Sequence, residues 1–272
     1  MKAELKPRIN LHDRTALETV IPLATPFIIF VDPSSTCNFK CTFCPTGHRD
    51  MIAETGRYQG VMKFDVFKKV INDLKDFAEP IKVLRLYKDG EPFLNKRLAD
   101  MVAYAKQSGR VDYIDTTTNG TFISPDRLGP VLEAGLDKIN ISVDGMTEET
   151  YMEFTGVKFD FKEFVKNVRW LYANKGKCEI SIKIPGDIIT EAQRKEFFET
   201  FGDYCDRIFI ENFAPCWPEF DTEKHTGVKI TKGIYQQDIN DTDVCPYIFY
   251  GYSVNADGQV SSCFLDWGRK LI

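Results

Sequence analysis

Three of the eight cysteines fall within one short stretch, Cys37-Asn-Phe-Lys-Cys41-Thr-Phe-Cys44, followed by Pro45. Three thiolates on one loop are a metal-binding arrangement. Zinc usually takes four ligands, often from paired C-x2-C units. At the C-x3-C-x2-C spacing seen here, a zinc site would need His48 or Cys216 to complete it. Iron–sulfur clusters are held by cysteine thiolates, and a [4Fe–4S] cluster held by only three keeps one iron open for chemistry. Three inert cysteines are a further reading that spacing alone leaves standing.

The elements that position this loop follow from hydrophobic patterning. Strand-like runs occur at 27–31, 81–87, 111–117, 138–143, 178–184 and 206–210. Helical patterns lie between them near 64–77, 95–108, 125–134, 147–153 with 161–174, and 190–202. Phe64, Phe67, Val70, Ile71 and Leu74 share one face at helical spacing. Ser124-Pro125 and Thr190-Glu191 read as helix starts, and Gly109 and Gly135 as helix ends. Strands alternating with helices imply βαβ units and a parallel sheet. Six units are too few for a closed eight-fold barrel, which needs roughly 250 residues. The fold class is therefore α/β, an open partial (β/α)6 barrel.

Ligands of such sheets gather at the carboxyl ends of the strands. Three consecutive strand exits are polar and contain glycine: Tyr87-Lys88-Asp89-Gly90-Glu91-Pro92, Thr116-Thr117-Thr118-Asn119-Gly120, and Asn140-Ile141-Ser142-Val143-Asp144-Gly145. Each alone reads as a turn; three beside a cysteine loop read as a site. Lys183 and Glu211-Asn212 are further candidates at strand ends, where solvation competes as an explanation, as it does for His48-Arg49.

With its cysteine loop just after the run Phe27–Val31, the chain resembles the radical S-adenosylmethionine (SAM) superfamily. The resemblance implies a [4Fe–4S] cluster on Cys37, Cys41 and Cys44, with SAM chelating the open iron through its amino and carboxylate groups. It implies reductive cleavage of SAM to methionine and a 5′-deoxyadenosyl radical that takes a substrate hydrogen. An external electron donor of the flavodoxin or ferredoxin kind is implied with it. Asp89-Gly90-Glu91-Pro92 is similar to the family's GGEP motif, with Asp89 in place of the first glycine. By that likeness the backbone of this turn at Asp89 and Gly90 and the carboxylate of Glu91 meet the methionyl ammonium, and the Asp89 side chain either adds charge there or caps the turn. Asn119-Gly120 is similar to the strand-end TNG. Ser142 and Asp144 match an S-x-D-G exit that serves the ribose hydroxyls and the SAM carboxylate, and Phe43 matches the aromatic position whose backbone meets adenine.

From Cys245 onward, aromatic-rich runs 247–254 and 259–264 flank Asn255-Ala256-Asp257-Gly258, a hairpin signal. Pairing these runs would bring Cys245 and Cys263 together. Cys245, Gly258 and Cys263 resemble the start of the SPASM and twitch auxiliary-cluster domains, which implies a second [4Fe–4S] cluster held in part by these two cysteines. Cys178 and Cys205 read as core residues, and Cys216 as the donor with plausible reach. The chain ends nine residues after Cys263, before any later cysteine of that pattern, so a cut form holding one cluster firmly is expected. The expected organisation is an N-terminal extension (1–26), the barrel core (27–212), a linker (213–244) and a small hairpin appendage that begins the auxiliary segment (245–272).

Composition excludes several classes. The 272 residues carry 35 Lys+Arg against 40 Asp+Glu, a net charge of −5, which disfavours nucleic acid as a partner. No apolar run approaches the roughly 20 residues of a membrane span, and the charged N-terminus lacks a signal-peptide core. A cytoplasmic location is expected, where thiols stay reduced. Three histidines give little support to a Ser–His–Asp site, and Walker A and dinucleotide-binding glycine patterns are missing. Only about 26 residues precede the first strand, too few for a separate leader-binding domain. A small polar substrate such as a sugar or aminocyclitol is therefore expected ahead of a peptide or protein. A non-catalytic iron–sulfur or zinc module is the remaining alternative.

Overall fold

The computed structural model describes residues 1–9, 14–240 and 243–270; His12 lies outside them. Its strands are β1 (Glu4–Leu5), β2 (Ile28–Val31), β3 (Ile81–Arg85), β4 (Val111–Thr118), β5 (Lys138–Ser142), β6 (Glu179–Pro185), β7 (Arg207–Glu211), β8 (Gly251–Val254) and β9 (Val260–Ser261). Among the described residues they form one open sheet in the order β1-β7-β6-β5-β4-β3-β2-β8-β9. Every pairing is parallel except β8 with β9. Because β2 to β7 neighbour one another in chain order, the right-handed helical crossovers fall on one face of the sheet, and β5 and β6 alternate apolar residues toward the helices with polar residues on the other face. Ile139, Ile141, Ile180, Ile182 and Ile184 are fully buried.

The six expected strands are β2 to β7. The helices are α1 (Arg49–Thr55), α2 (Phe64–Asp73), α3 (Leu98–Gln107), α4 (Pro125–Glu133), α5 (Glu148–Thr155), α6 (Phe161–Asn174), α7 (Glu191–Phe201), α8 (Thr222–Thr226) and α9 (Tyr247–Tyr250). In α2, Phe67 and Ile71 are buried on the face the pattern predicted. Helix α7 opens with a capping box between Thr190 and Gln193. Helix α4 starts at Pro125 as expected, but the Ser124 side chain makes no capping hydrogen bond.

Three features extend the sequence reading. Part of the N-terminal extension enters the sheet, because β1 pairs with β7. The stretch read as linker carries α8, and its Phe220 packs with Ile52 and Trp267 in a second small core. The C-terminal hairpin forms on the expected turn, with Gly258 in the left-handed region at φ 91°, and it joins the same sheet because β8 pairs with β2. Residues 247–250 are a helical turn rather than strand: Pro246 precedes it with helical dihedrals, and proline favours helix starts.

Candidate active site

The loop after β2 descends into the cysteine turn. Its backbone is pinned to the end of α5 by Lys40 N donating to Thr155 O (2.7 Å) and Thr42 N to Phe154 O (2.9 Å). The turn closes with Gly47 N donating to Cys44 O at 2.9 Å. A Cβ on Gly47 would sit 2.3 Å from Cys41 O, so only glycine fits this approach. All three cysteines are half-buried free thiols that line one cavity of about 500 Å³.

That cavity lies at the carboxyl ends of the strands, as parallel sheets place ligands. Asp89, Gly90 and Glu91 follow β3; Thr118 and Asn119 end β4; Ser142 and Asp144 end β5; Lys183 and Glu211 come from β6 and β7. Phe43 completes the set, its ring 4.9 Å from Phe213. The structure thus brings every SAM-site candidate of the sequence to one space with the three cysteines.

Glu91 is the hub of the wall. Its Oε1 accepts from Phe93 N (3.0 Å) and Thr118 Oγ1 (2.8 Å), and its Oε2 accepts from Asn119 N (2.8 Å). Each carboxylate oxygen has two acceptor positions, so Oε2 keeps one for a ligand donor. Asn119 reaches the other way, donating through Nδ2 to Asn38 Oδ1 at 2.9 Å and lying 3.8 Å from Cys37 Sγ. Cluster loop, β3 exit and β4 exit are one hydrogen-bonded unit. Gly90 makes the crossing feasible, since a Cβ there would meet Thr36 O at 2.0 Å.

Burial sets the protonation of this wall. It pushes the Glu91 and Asp144 carboxyls up to about 7, with Lys183 drawing Asp144 part of the way back. It likewise pushes the Cys37 thiol up to about 12 and raises Cys41 and Cys44. Buried thiols of this kind release their protons to a metal that binds thiolate. Three free soft donors on one tight loop, facing a cavity, suit an iron–sulfur cluster.

Asp89 departs from the simple picture of a ligand-facing acid. Its carboxylate is buried against Lys88 (3.2 Å), Arg57 (3.7 Å) and Arg269. Arg57, buried in turn, donates to Thr46 Oγ1 (2.9 Å) in the cysteine turn, Ser35 O (3.3 Å) and Trp267 O (3.1 Å). Neither Arg57 nor Arg269 carries a sequence signal for this role.

Cys245 and Cys263 both lie outside the β8–β9 ladder, whose register sets Ser253 opposite Ser261. The turn of α9 follows Cys245, and its Tyr247 ring lies 4.9 Å from that of Phe264, the residue after Cys263. Cys245 is exposed, Cys263 half-buried, and neither lines the cavity. Cys216 does line it, whereas Cys178 and Cys205 are core residues. Among the described residues no three His, Cys, Asp or Glu side chains are arranged to hold a single metal ion. Arg8 and Tyr235 also line the cavity and were outside the sequence reading.

The sequence model of the Radical SAM superfamily matches residues 31–201, the span from the end of β2 to the end of α7. The chain belongs to this superfamily. Radical SAM proteins use a [4Fe–4S] cluster and SAM, the pair that the cysteine loop and strand exits suit. Among curated radical SAM relatives, Fe-coproporphyrin III synthase of Methanosarcina barkeri is 32% identical over 46% of this chain and 29% of its own length. GTP 3′,8-cyclase of Clostridium perfringens is 24% identical over 71% of this chain and 56% of its own. The chain thus spans between about three-tenths and just over half of these relatives.

Solved structures share the fold at low identity. Streptococcus suis SuiB bound to precursor peptide SuiA superposes with a TM-score of 0.67 at 13% identity, covering 94% of this chain and 63% of SuiB. BtrN in complex with AdoMet and 2-DOIA gives 0.53 at 19% identity, covering 90% and 76%. No helix of the described residues is long and apolar enough to cross a membrane.

Proposed function

We propose that this radical SAM protein is an enzyme that cleaves SAM reductively and removes a hydrogen atom from a small polar substrate such as a sugar or aminocyclitol. The observation that carries this reading is the joining of Cys37, Asn119 and Glu91 in one network on the wall of one cavity. When bound, the cluster and SAM together supply a one-electron cleavage that gives methionine and a 5′-deoxyadenosyl radical.

The chain's residues hold and shield this chemistry. Cys37, Cys41 and Cys44 hold the cluster. Glu91 offers its remaining acceptor position to the methionyl ammonium, a charge-assisted contact. Ser142 and Asp144 serve the ribose and carboxylate groups, Asn119 fixes the cysteine loop against Glu91, and Phe43 lies on the adenine side. Asp89 and Gly90 shape the turn that presents Glu91. Phe264, its ring stacked on Phe30 at 4.4 Å, and Tyr247 give the cavity an apolar wall beside this chemistry. An external flavodoxin- or ferredoxin-type protein supplies the electron. Cys245 and Cys263 belong to the C-terminal auxiliary segment and do not line the cavity themselves, although Tyr247, Phe264 and Leu265 of that segment do.

A small substrate is supported by the cavity itself, whose β6 and β7 end is charged and carries Lys183, Glu211 and Arg8. Anaerobic incubation of the reconstituted protein with dithionite and SAM tests the activity. Formation of 5′-deoxyadenosine and methionine supports it; intact SAM beside a fully loaded cluster overturns it.

A further inference from the structure

The geometry points to a substrate subsite at the β6–β7 end of the cavity, formed by Glu211, Lys183 and Arg8, that takes a neutral ring bearing adjacent hydroxyl groups. The inference rests on the reading of the chain as a SAM-cleaving enzyme and names the substrate edge that it recognises.

Glu211 is the last residue of β7, four strands along the sheet from the exit that carries Glu91. It is 2% exposed yet lines the cavity. Lys183 Nζ lies 2.8 Å from one carboxylate oxygen and Arg8 Nε 3.3 Å from the other. Each carboxylate oxygen thus meets one cation, and Arg8 is also held by Tyr235. Burial alone would raise the carboxyl's pKa; Lys183 and Arg8 outweigh that and hold it below the usual carboxylate range. The cavity therefore contains an ionised carboxylate that spends one acceptor position of each oxygen on its two cations. A carboxylate has about four such positions, so two remain for a ligand donor entering the cavity.

The chemistry of that ligand follows from the three charges. An anionic group would face the Glu211 carboxylate, and an ammonium group would face two cations. A hydroxyl both donates and accepts. Two adjacent hydroxyls can donate to Glu211 and accept from Lys183 and Arg8 together. Phe213 and Tyr235 line the same end, and aromatic faces suit the C–H surface of a ring. Phe213 also touches Phe43, which links this subsite to the proposed adenine side.

The test uses the anaerobically reconstituted full chain with SAM, dithionite and a panel of uniformly deuterated probes. The panel holds neutral pentoses, hexoses and cyclitols, the corresponding phosphates, and the corresponding amino sugars. Deuterium in 5′-deoxyadenosine from one or more neutral members, ahead of their phosphates and amines, is the expected result. Glu211→Gln and Lys183→Gln should each lower kcat/KM for that probe about 10- to 100-fold, the loss of a hydrogen bond to a charged group. Glu211→Gln should keep the change that SAM produces in the cluster's EPR spectrum, a readout kept to this variant because Lys183 also acts on Asp144. Transfer only from phosphates or amines, silence of every neutral probe, or unchanged kinetics in both variants overturns the subsite. Loss of the SAM-dependent EPR change in the unmodified protein would instead overturn the underlying reading, so the two failures are distinguishable.

Discussion

Arg269 of the C-terminal segment donates to the carboxylate of Asp89, in the turn that presents Glu91. The two are 180 residues apart in sequence. Through this contact, and through Arg57 beside it, the segment after the hairpin is fastened to both the turn at 88–91 and the cysteine loop. Asp89 keeps Lys88 and Arg57 when Arg269 is removed, so the loss is that of one hydrogen bond to a charged group. Arg269→Met should therefore cost about 2 kcal/mol of unfolding free energy by denaturant titration. Hydrogen exchange should quicken across residues 251–270 and the turn at 88–91 together. Unchanged stability and exchange would show that the contact holds nothing.

Cys41→Ala should abolish 5′-deoxyadenosine formation while leaving the circular dichroism spectrum near that of the parent, since alanine tolerates the same backbone. Retained SAM cleavage in this variant would remove the cysteine loop from the mechanism.

Gly90→Ala places a methyl group against Thr36 O, at a backbone crossing that has no side chain to yield. Shifting the turn moves Glu91, so SAM affinity should fall by at least about tenfold, a modest loss for a displaced charged contact. Isothermal titration of the reconstituted protein gives the answer; parental affinity would mean the turn does not position SAM.

The pH dependence follows from Glu91 and Asp144, both raised by burial to about 7. The folded form holds these protons more tightly than the unfolded chain, so their contribution to stability is full below about pH 4 and is lost as pH rises through 7. The protein without cofactor should accordingly lose thermal stability between pH 5.5 and 8. Binding of the SAM ammonium favours the Glu91 carboxylate, so SAM affinity should move the opposite way, tightening up to about tenfold per unit below pH 7. An affinity flat from pH 5.5 to 8 would contradict the role given to Glu91.

Much of the candidate site's wall was legible because its signals are local. Cysteine spacing and three polar exits after β-branched runs need no tertiary information, and β2 to β7 emerge from alternation of strand and helix patterns. The two-residue β1 has no periodicity to read, and its partner β7 lies about two hundred residues away. Arg8 enters the cavity only because that pairing carries it there. Arg57 sits in an ordinary Thr-Gly-Arg-Tyr loop, and only folding shows it joined to Ser35, Thr46, Asp89 and Trp267. The aromatic run before β8 satisfied a strand pattern, yet Pro246 turned its first residues into a helix that parts Cys245 from the ladder.

The most direct test of the central claim is EPR of the anaerobically reconstituted, dithionite-reduced chain, recorded before and after addition of SAM. A cluster held by Cys37, Cys41 and Cys44 with one open iron predicts a [4Fe–4S] signal whose g-values shift when SAM binds. A cluster signal that SAM leaves unchanged would contradict it.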